Sequence, residues 1–145
     1  MLFRSAAAQA LSALPGCRLV ALSPVYRSAP IDASGPDFFN AVAWLDTDLG
    51  PEALLAALQA VEQQFGRQRP YHHAPRTLDL DLLLLADETR QGAHLSLPHP
   101  RLHQRAFVLR PLLDLCPDLS APGLGPLASH LPATAGQAIT RVTLP

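Results

Sequence analysis

The sequence predicts an α+β sandwich in which helices pack on one face of a mostly antiparallel sheet. Two observations support this prediction. Segments with apolar residues at helical spacing alternate along the chain with segments that alternate every second residue, and stretches of turn-forming residues separate them. The 145 residues are enough for one domain, residues 1–145, with its own hydrophobic core.

The first half of the chain contains two predicted helices and two predicted strands. Apolar residues recur at helical spacing over 5–14, before a Pro-Gly pair that ends a helix. Strands are predicted over 18–26 and 38–46, on either side of a loop of turn formers at 27–37. The clearest helix is 51–65, because it begins at a proline, has a leucine stripe and ends before a glycine. On the second strand, the residues predicted to share one face are Phe38, Asn40, Val42 and Trp44.

The second half of the chain is richer in loops. A polar loop at 67–76 leads into a predicted strand at 77–85, one face of which is rich in leucine. A further loop includes 97–100, and 103–115 is predicted as a short strand or a helix interrupted by a proline. The Pro- and Gly-rich tail ends in a short predicted strand at 139–142.

Composition excludes several classes of function. Eleven basic and twelve acidic residues give a net charge of −1, so binding to nucleic acid through bulk charge is disfavoured. Every basic residue is arginine, which excludes P-loop enzymes and protein kinases because both need a phosphate-binding lysine. No apolar run approaches the ~18–20 residues of a membrane span. Two cysteines form no disulfide framework, so we expect a reduced, cytoplasmic protein.

The sharpest motif is the pair of acidic residues Asp79 and Asp81 on the predicted strand at 77–85. Side chains two positions apart lie on the same face of a strand, so both carboxylates point one way while the leucines between and after them point into the core. A divalent cation between the carboxylates removes their repulsion, and Mg²⁺ takes one or two carboxylates together with phosphate oxygens. The alternatives are a solvated outer face of a sheet and a metal-dependent nucleotidyl or sugar transferase.

Three arginines in the preceding loop strengthen the phosphate interpretation. Arg67, Arg69 and Arg76 all lie within one stretch that leads into the acidic strand. Guanidinium groups bind phosphate through two hydrogen bonds and stay charged, so acids that hold metal beside arginines that hold oxygens form a polyphosphate site. In the alternative interpretation, these arginines form surface ion pairs with the two aspartates or with Glu62.

A second cluster suits a flat heterocycle. Phe38 offers a ring for stacking, and the Asn40 amide offers a donor together with an acceptor. A stiffened loop with free backbone groups precedes them, and its residues are Ser28, Ala29, Pro30 and Ile31. Taken alone, however, a phenylalanine on a strand is more often a core residue.

A third cluster lies within 99–107. His99 and Arg105 are of the types that bind phosphate, and Phe107 could form the other side of a ring sandwich. Alone this signal is weak, since histidine is often a structural polar residue. The other histidines have no spacing that indicates a zinc site.

In this order, the three clusters resemble the 6-hydroxymethyl-7,8-dihydropterin pyrophosphokinase family of folate biosynthesis. The stretch that most resembles the family is residues 72–83, HHAPRTLDLDLL. Support comes from YRSAPI at 26–31, DFFNA at 37–41 and EQQFGR at 62–67, and from the cluster at 97–107. The resemblance covers about residues 6–119 and implies a ferredoxin-like sandwich.

The resemblance implies a reaction and a role for each matching residue. The family transfers pyrophosphate from MgATP to the hydroxymethyl group of the pterin and releases AMP. It implies two Mg²⁺ ions on Asp79 and Asp81. It implies that ATP and its phosphates are bound by Arg67, Arg76, Arg69, His99, Arg105, Ser96, Gln59 and Glu62. It implies that the pterin is bound by Phe38, Phe107, Asn40 and residues 28–31. We expect these small molecules as the partners of a monomer, with no nucleic acid and no membrane.

The sequence departs from the family pattern in three places. Pro100 stands where relatives often have tyrosine, so one nucleotide contact is expected to be absent. His73 stands at the position of a common tryptophan, which weakens lid closure. The family opens with an internal strand and a Gly-Ser/Ala-Asn loop, so we expect the first strand to be missing or replaced here. A truncated, catalytically silent relative that binds a nucleotide or a partner is therefore the alternative function.

Overall fold

The computed structural model of the chain describes residues 2–28, 38–66 and 78–142. The helices are α1 (Leu2–Ser12), α2 (Pro51–Gly66) and α3 (Ala106–Leu115). The strands of the first half are β1 (Cys17–Leu22), β2 (Tyr26–Ser28), β3 (Phe38–Asn40) and β4 (Ala43–Thr47). The strands of the second half are β5 (Arg90–Gln91), β6 (Ser96–Leu97), β7 (Ser120–Ala121), β8 (Gly125–Pro126) and β9 (Ile139–Arg141).

All strand pairs in the described part of the chain are antiparallel. β1 pairs with β4, β2 lies between β3 and β9, and the short strands pair as β5 with β6 and β7 with β8. Together with the helices, these pairings confirm the predicted α+β class. None of the helices described is long and apolar enough to cross a membrane.

The two predicted helices of the first half are confirmed. α2 has nearly the predicted bounds, and it buries one stripe of residues because their spacing follows the helical repeat. Leu54 and Leu58 of that stripe pack with Leu11 of α1 into a first core cluster. α1 begins three residues before the predicted range of 5–14 and ends two residues short of its last position.

The single strands predicted at 18–26 and 38–46 are each broken in two. Ser23, which is fully buried, lies at the first break, and Val42 lies at the second. The amide of Ser23 donates to the carbonyl of Val42 at 2.9 Å, and the amide of Val42 donates to Oγ of Ser23 at 2.8 Å. The predicted alternation from Phe38 to Trp44 is therefore wrong, because both strand segments are interrupted at this pairing. Val42 is buried, whereas Trp44 is 49% exposed.

The strand predicted at 77–85 is wrong for the residues described, 78–85, which pair with no strand in that part of the chain. Its backbone groups have other partners: Leu80 donates its amide to the Glu62 side chain, and the Leu83 carbonyl accepts from the amide of His99. A strand needs a continuous ladder of backbone hydrogen bonds, and these contacts replace it. The predicted alternation in exposure is nevertheless observed from residue 78 to 82, with Asp79 and Asp81 exposed and the leucines around them half-buried.

The predicted alternatives for 103–115 are resolved in favour of a helix, α3, which contains the predicted proline. α3 packs with two 3₁₀ helices, Leu102–Gln104 and Leu127–Thr134, around a second core cluster. The buried residues of this cluster are Val42, Leu102, Leu109, Leu112, Ala121 and Leu127. The short strand predicted at 139–142 is confirmed as β9.

Candidate functional site

A cleft of about 380 Å³ lies beside residues 78–85, here called the acidic segment, and Asp79 and Asp81 both line it. Leu55, Gln59 and Glu62 form the wall on α2, because positions four and three apart lie on one face of a helix. The remaining lining residues of the cleft are Leu80, Leu82, Gly92, Ala93, His94, Leu95, Ser96, His99 and Pro100. The two carboxylates therefore face a cavity with polar walls instead of a flat solvated surface.

Glu62 fixes the acidic segment against α2. Its Oε2 accepts the backbone amide of Leu80 at 2.9 Å, and Leu80 lies between the two aspartates. A hydrogen bond to a charged acceptor is stronger than a neutral one, so this contact holds the backbone from which both carboxylates project. The prediction that Glu62 lies near the nucleotide site is compatible with this position, and the contact adds a structural task.

The opposite wall is a turn between β5 and β6. The amide of Gly92 donates to the carbonyl of Leu95 at 3.0 Å, and Oγ of Ser96 donates to the Gly92 carbonyl at 3.3 Å. Nε of Arg90, in β5, donates to Oε1 of Glu52, in the first turn of α2, at 2.7 Å. This guanidinium lowers the pKa of Glu52 from its ordinary value, and the ion pair ties the two walls of the cleft together.

The ring of His99 is oriented by its own loop. Its amide donates to the carbonyl of Leu83 at 2.8 Å, and its Nδ1 accepts the amide of Arg101 at 3.2 Å. In the neutral ring the proton must then lie on Nε2, which leaves a donor for an anion. Such a donor suits the phosphate contact that the sequence predicts for His99.

Two of the predicted pterin residues share a face of β3, and a third lies opposite them on β2. In the antiparallel register Tyr26 pairs with Asn40 and Ser28 pairs with Phe38, and directly opposed side chains lie on the same face. Phe38 is 58% exposed, so its ring is available for stacking and is not a core residue. Ser28 is buried beside it.

Arg105 and Phe107 lie at the beginning of α3. Arg105 is the residue that precedes the helix, and its guanidinium carbon lies 5.5 Å from the centre of the Phe107 ring. This is a cation–π distance, so the charge and the ring form one unit.

The structure thus places the predicted residues in two groups. Those that line the cleft are Gln59, Glu62, Asp79, Asp81, Ser96 and His99. Those that lie outside its lining, on β2, β3 and the start of α3, are Ser28, Phe38, Asn40, Arg105 and Phe107. Those that fall outside the described residues are Ala29, Pro30, Ile31, Arg67, Arg69 and Arg76.

Sequence reasoning missed His94, which lines the cleft two residues before Ser96. Its spacing from the other histidines does not indicate a zinc site. Its position just before a polar residue of a candidate nucleotide loop is the signal that could have found it. Pro100, where a contact was expected to be absent, also lines the cleft.

The acidic pair fits magnesium. Both side chains offer hard oxygen ligands at the edge of a polar cleft, which is the chemistry that Mg²⁺ prefers when phosphate and water complete its shell. Over residues 2–28, 38–66 and 78–142, no group of three or more His, Cys, Asp or Glu side chains is arranged to hold a metal ion.

Comparisons with known proteins show which family the chain belongs to. Residues 3–117 match the family model of 7,8-dihydro-6-hydroxymethylpterin-pyrophosphokinase. The 2-amino-4-hydroxy-6-hydroxymethyldihydropteridine pyrophosphokinase of Pseudomonas aeruginosa is 49% identical over 128 residues, which is 88% of this chain and 76% of that protein. The enzyme of the same name from Haemophilus influenzae is 42% identical over 118 residues, 81% of this chain and 74% of that protein. The folic acid synthesis protein fol1 of Schizosaccharomyces pombe is 40% identical over 113 residues, 77% of this chain and 15% of its own length. The chain belongs to the 7,8-dihydro-6-hydroxymethylpterin-pyrophosphokinase family.

Proposed function

We propose that this chain transfers pyrophosphate from MgATP to the hydroxymethyl group of 6-hydroxymethyl-7,8-dihydropterin, giving AMP and the pterin diphosphate, in folate biosynthesis. The observation that supports this most directly is the pair of exposed carboxylates, Asp79 and Asp81, in a polar cleft of a chain from this family. The enzyme is an ATP-dependent diphosphotransferase. The ferredoxin-like α+β fold is that of its family.

In this mechanism the cleft binds the nucleotide. Asp79 and Asp81 would hold magnesium, which would neutralise phosphate charge. His99 donates from Nε2 to a phosphate oxygen. We propose two magnesium ions, and we propose further nucleotide or phosphate contacts from Gln59, Glu62, Ser96, Arg67, Arg69, Arg76 and Arg105.

The pterin is bound beside β2, β3 and the start of α3. Phe38 and Phe107 are proposed to stack on its two faces, and Asn40 to hydrogen-bond its edge together with residues 28–31. Arg105 is adjacent to the Phe107 ring, so a charge that binds phosphate lies next to a surface that binds the pterin. This arrangement suits a reaction between the two substrates.

The chemistry needs positioning more than covalent catalysis. The hydroxymethyl oxygen attacks the β-phosphorus and loses its proton to solvent. The bond from that phosphorus to the bridging α-phosphate oxygen breaks, and AMP leaves with that oxygen. Holding both substrates in line removes much of the entropic barrier, and the arginines and His99 stabilise the charge that spreads over the phosphate oxygens.

We also propose that residues 1–145 form one domain that acts as a cytoplasmic monomer on small molecules and binds no nucleic acid. Cys17 and Cys116 are free thiols, which is compatible with a reducing compartment. The net charge of −1 disfavours binding to nucleic acid through bulk charge.

The test measures AMP formation that depends on hydroxymethyl-dihydropterin, with the wild-type chain and with the double variant Asp79→Asn, Asp81→Asn. Because both side chains are exposed, the variant should fold, and turnover should fall by a factor on the order of 10³ or more as charge stabilisation is lost. The matched control is Asp118→Asn, an exposed aspartate that does not line the cleft.

AMP formation by the folded double variant at the wild-type rate would remove the proposed role of the two carboxylates. A folded wild-type chain that binds MgATP but forms no AMP would instead favour the silent relative. Turnover with sugars or nucleotides and none with pterins would favour another metal-dependent transferase.

A further inference from the structure

Residues 137–142, here called the clamp segment, contact both elements that hold the proposed pterin residues. The segment contains β9 and lies outside residues 3–117, the part that matches the family model. On one side it contacts the start of α3, and on the other it pairs with β2. The clamp segment therefore connects β2 with the start of α3, which lie far apart in the sequence.

The first anchor is the Gln137 side chain. Its Oε1 accepts the amide of Ala106 at 2.8 Å, and its Nε2 donates to the carbonyl of Gln104 at 2.8 Å. These two backbone groups lie on either side of Arg105, and α3 has no side-chain cap from Arg105 itself. Gln137 therefore satisfies one of the free amides at the start of the helix and fixes the backbone from which Arg105 and Phe107 project.

The second anchor is the β9 ladder. Arg141 pairs with Tyr26 and Ile139 with Ser28, and the amide of Val142 donates to the carbonyl of Val25 at 2.8 Å. This ladder makes β2 a central strand, with β3 and its Phe38 on the other side. A strand paired on both sides is held more firmly than an edge strand.

The third anchor is a set of contacts that join β2 and β9 to α3. Arg141 forms an ion pair with Asp114 at 3.1 Å, and the buried Tyr26 donates its hydroxyl hydrogen to the same carboxylate. Asp114 and Phe107 are seven positions apart in α3, so they lie on the same face of the helix. Holding Asp114 against β2 therefore sets the rotation of the face that presents Phe107.

From these three anchors we propose that Gln137 and Arg141 are positioning residues for the pterin, which set the placement of Phe107 and Arg105 relative to Phe38. The proposal rests on the proposed function, because it deepens the account of the same site. Nucleotide binding should depend less on the clamp segment. Arg105 is the one proposed nucleotide contact that the segment positions, whereas the lining of the cleft comes from α2, the acidic segment and residues within 92–100.

The test separates the two substrates by calorimetry on the full chain. The first titration uses the magnesium complex of α,β-methylene-ATP, which cannot be cleaved between the α- and β-phosphates, and the second adds hydroxymethyl-dihydropterin. For Gln137→Ala we expect pterin affinity to fall about tenfold, which is the scale of a small misplacement in a site. Nucleotide affinity should fall less, because Arg105 is only one of the proposed nucleotide contacts. Gln137→Glu keeps an acceptor for the Ala106 amide and should restore much of the pterin affinity.

Amide hydrogen exchange gives a readout that needs no ligand. The Ala106 amide should exchange faster in Gln137→Ala than in the wild type and should remain protected in Gln137→Glu, because only the alanine removes the acceptor. The matched control is Gln9→Ala, which removes an exposed glutamine from α1 and should change neither measurement.

Wild-type pterin affinity in a Gln137→Ala variant would overturn the proposal, and so would an equal loss of both affinities, since that outcome indicates general loosening. A wild-type chain that binds the nucleotide analogue but not the pterin would contradict the proposed function itself, and the positioning role would fall with it. Arg141→Lys should lose less pterin affinity than Arg141→Met, and the reverse order would also argue against the proposal.

Discussion

Tyr26 connects three elements through a single side chain. It lies on β2, its hydroxyl donates to Asp114 on α3, and the guanidinium of Arg141 on β9 lies 6.0 Å from the centre of its ring. Burial raises the pKa of Tyr26 above its ordinary value of 10.0, and the hydrogen bond to Asp114 raises it further. Arg141 opposes this shift but does not reverse it.

This raised pKa predicts an alkaline dependence of stability. A group with a raised folded-state pKa contributes stability that is fully present below the unfolded pKa and is lost as pH rises through the folded pKa. Tyr26→Phe should lose about 1.5–3 kcal/mol at neutral pH, the range for one hydrogen bond to a charged group. The free energy of unfolding in urea, measured from pH 7 to above pH 10, should fall more steeply in the wild type than in the variant. Parallel curves would contradict the assignment.

The Glu62 side chain should also affect the affinity of the cleft for magnesium and the nucleotide. Glu62→Ala removes the acceptor for the Leu80 amide and releases the backbone between the two aspartates. Affinity for magnesium with α,β-methylene-ATP should fall about tenfold, which corresponds to about 1.4 kcal/mol, within the range for an unsatisfied amide. Glu62→Gln retains an acceptor and should lose less. The control is Gln63→Ala, which changes an exposed neighbour on α2. An equal loss of affinity in that variant would contradict the proposed role of the Glu62 contact.

At the scale of elements, periodicity predicted helices better than strands. The bounds of α2 follow from a proline, a leucine stripe and a glycine that are all local. The breaks in the two strands depend on Ser23 meeting Val42, residues 19 apart, and sequence alternation cannot show such a pair. Residues 78–85 have the alternation of a strand, yet their backbone is bound by Glu62 and His99. Local pattern therefore predicted side-chain orientation there, but not pairing.

The buried Ser23 hydroxyl should contribute to the stability of the protein. Ser23→Ala leaves the buried amide of Val42 without its acceptor, so the free energy of unfolding should fall by about 1–3 kcal/mol. Urea denaturation measures this change. Ser129→Ala, which removes an exposed hydroxyl that donates to the Pro126 carbonyl, should have a much smaller effect. Similar losses of unfolding free energy in both variants would contradict the expected penalty for leaving the buried Val42 amide without an acceptor.

At the scale of the whole molecule, the acidic segment connects the two core clusters. Leu80 and Leu82 pack against the first cluster, whereas Leu83 and Leu84 pack against the second. The Asp-x-Asp motif could be identified from the sequence because its spacing is local. The contacts of Gln137 and Arg141 could not, since they join residues that no sequence period relates, such as Ala106 and Gln137, which are 31 apart.

Binding of magnesium and the nucleotide analogue should raise the free energy of unfolding of the whole chain. At a concentration 100 times its Kd, magnesium with α,β-methylene-ATP should add about 2.7 kcal/mol to the free energy of unfolding. For a chain of this size that corresponds to a rise in Tm of roughly 6–10 °C. Removing the metal with EDTA should abolish most of the rise, because Asp79 and Asp81 would then repel the phosphates. A rise that is independent of magnesium would contradict the role of the two carboxylates.

The late position of β9 has a consequence for the order of assembly during synthesis. Among the residues that the structure describes, those that line the nucleotide cleft lie within positions 55–100, whereas β2 obtains its second neighbour from residues 139–141. A nascent chain leaving the ribosome therefore has all the residues for holding ATP well before the sheet beside the pterin is complete. The growing polypeptide acquires its two substrate sites one after the other.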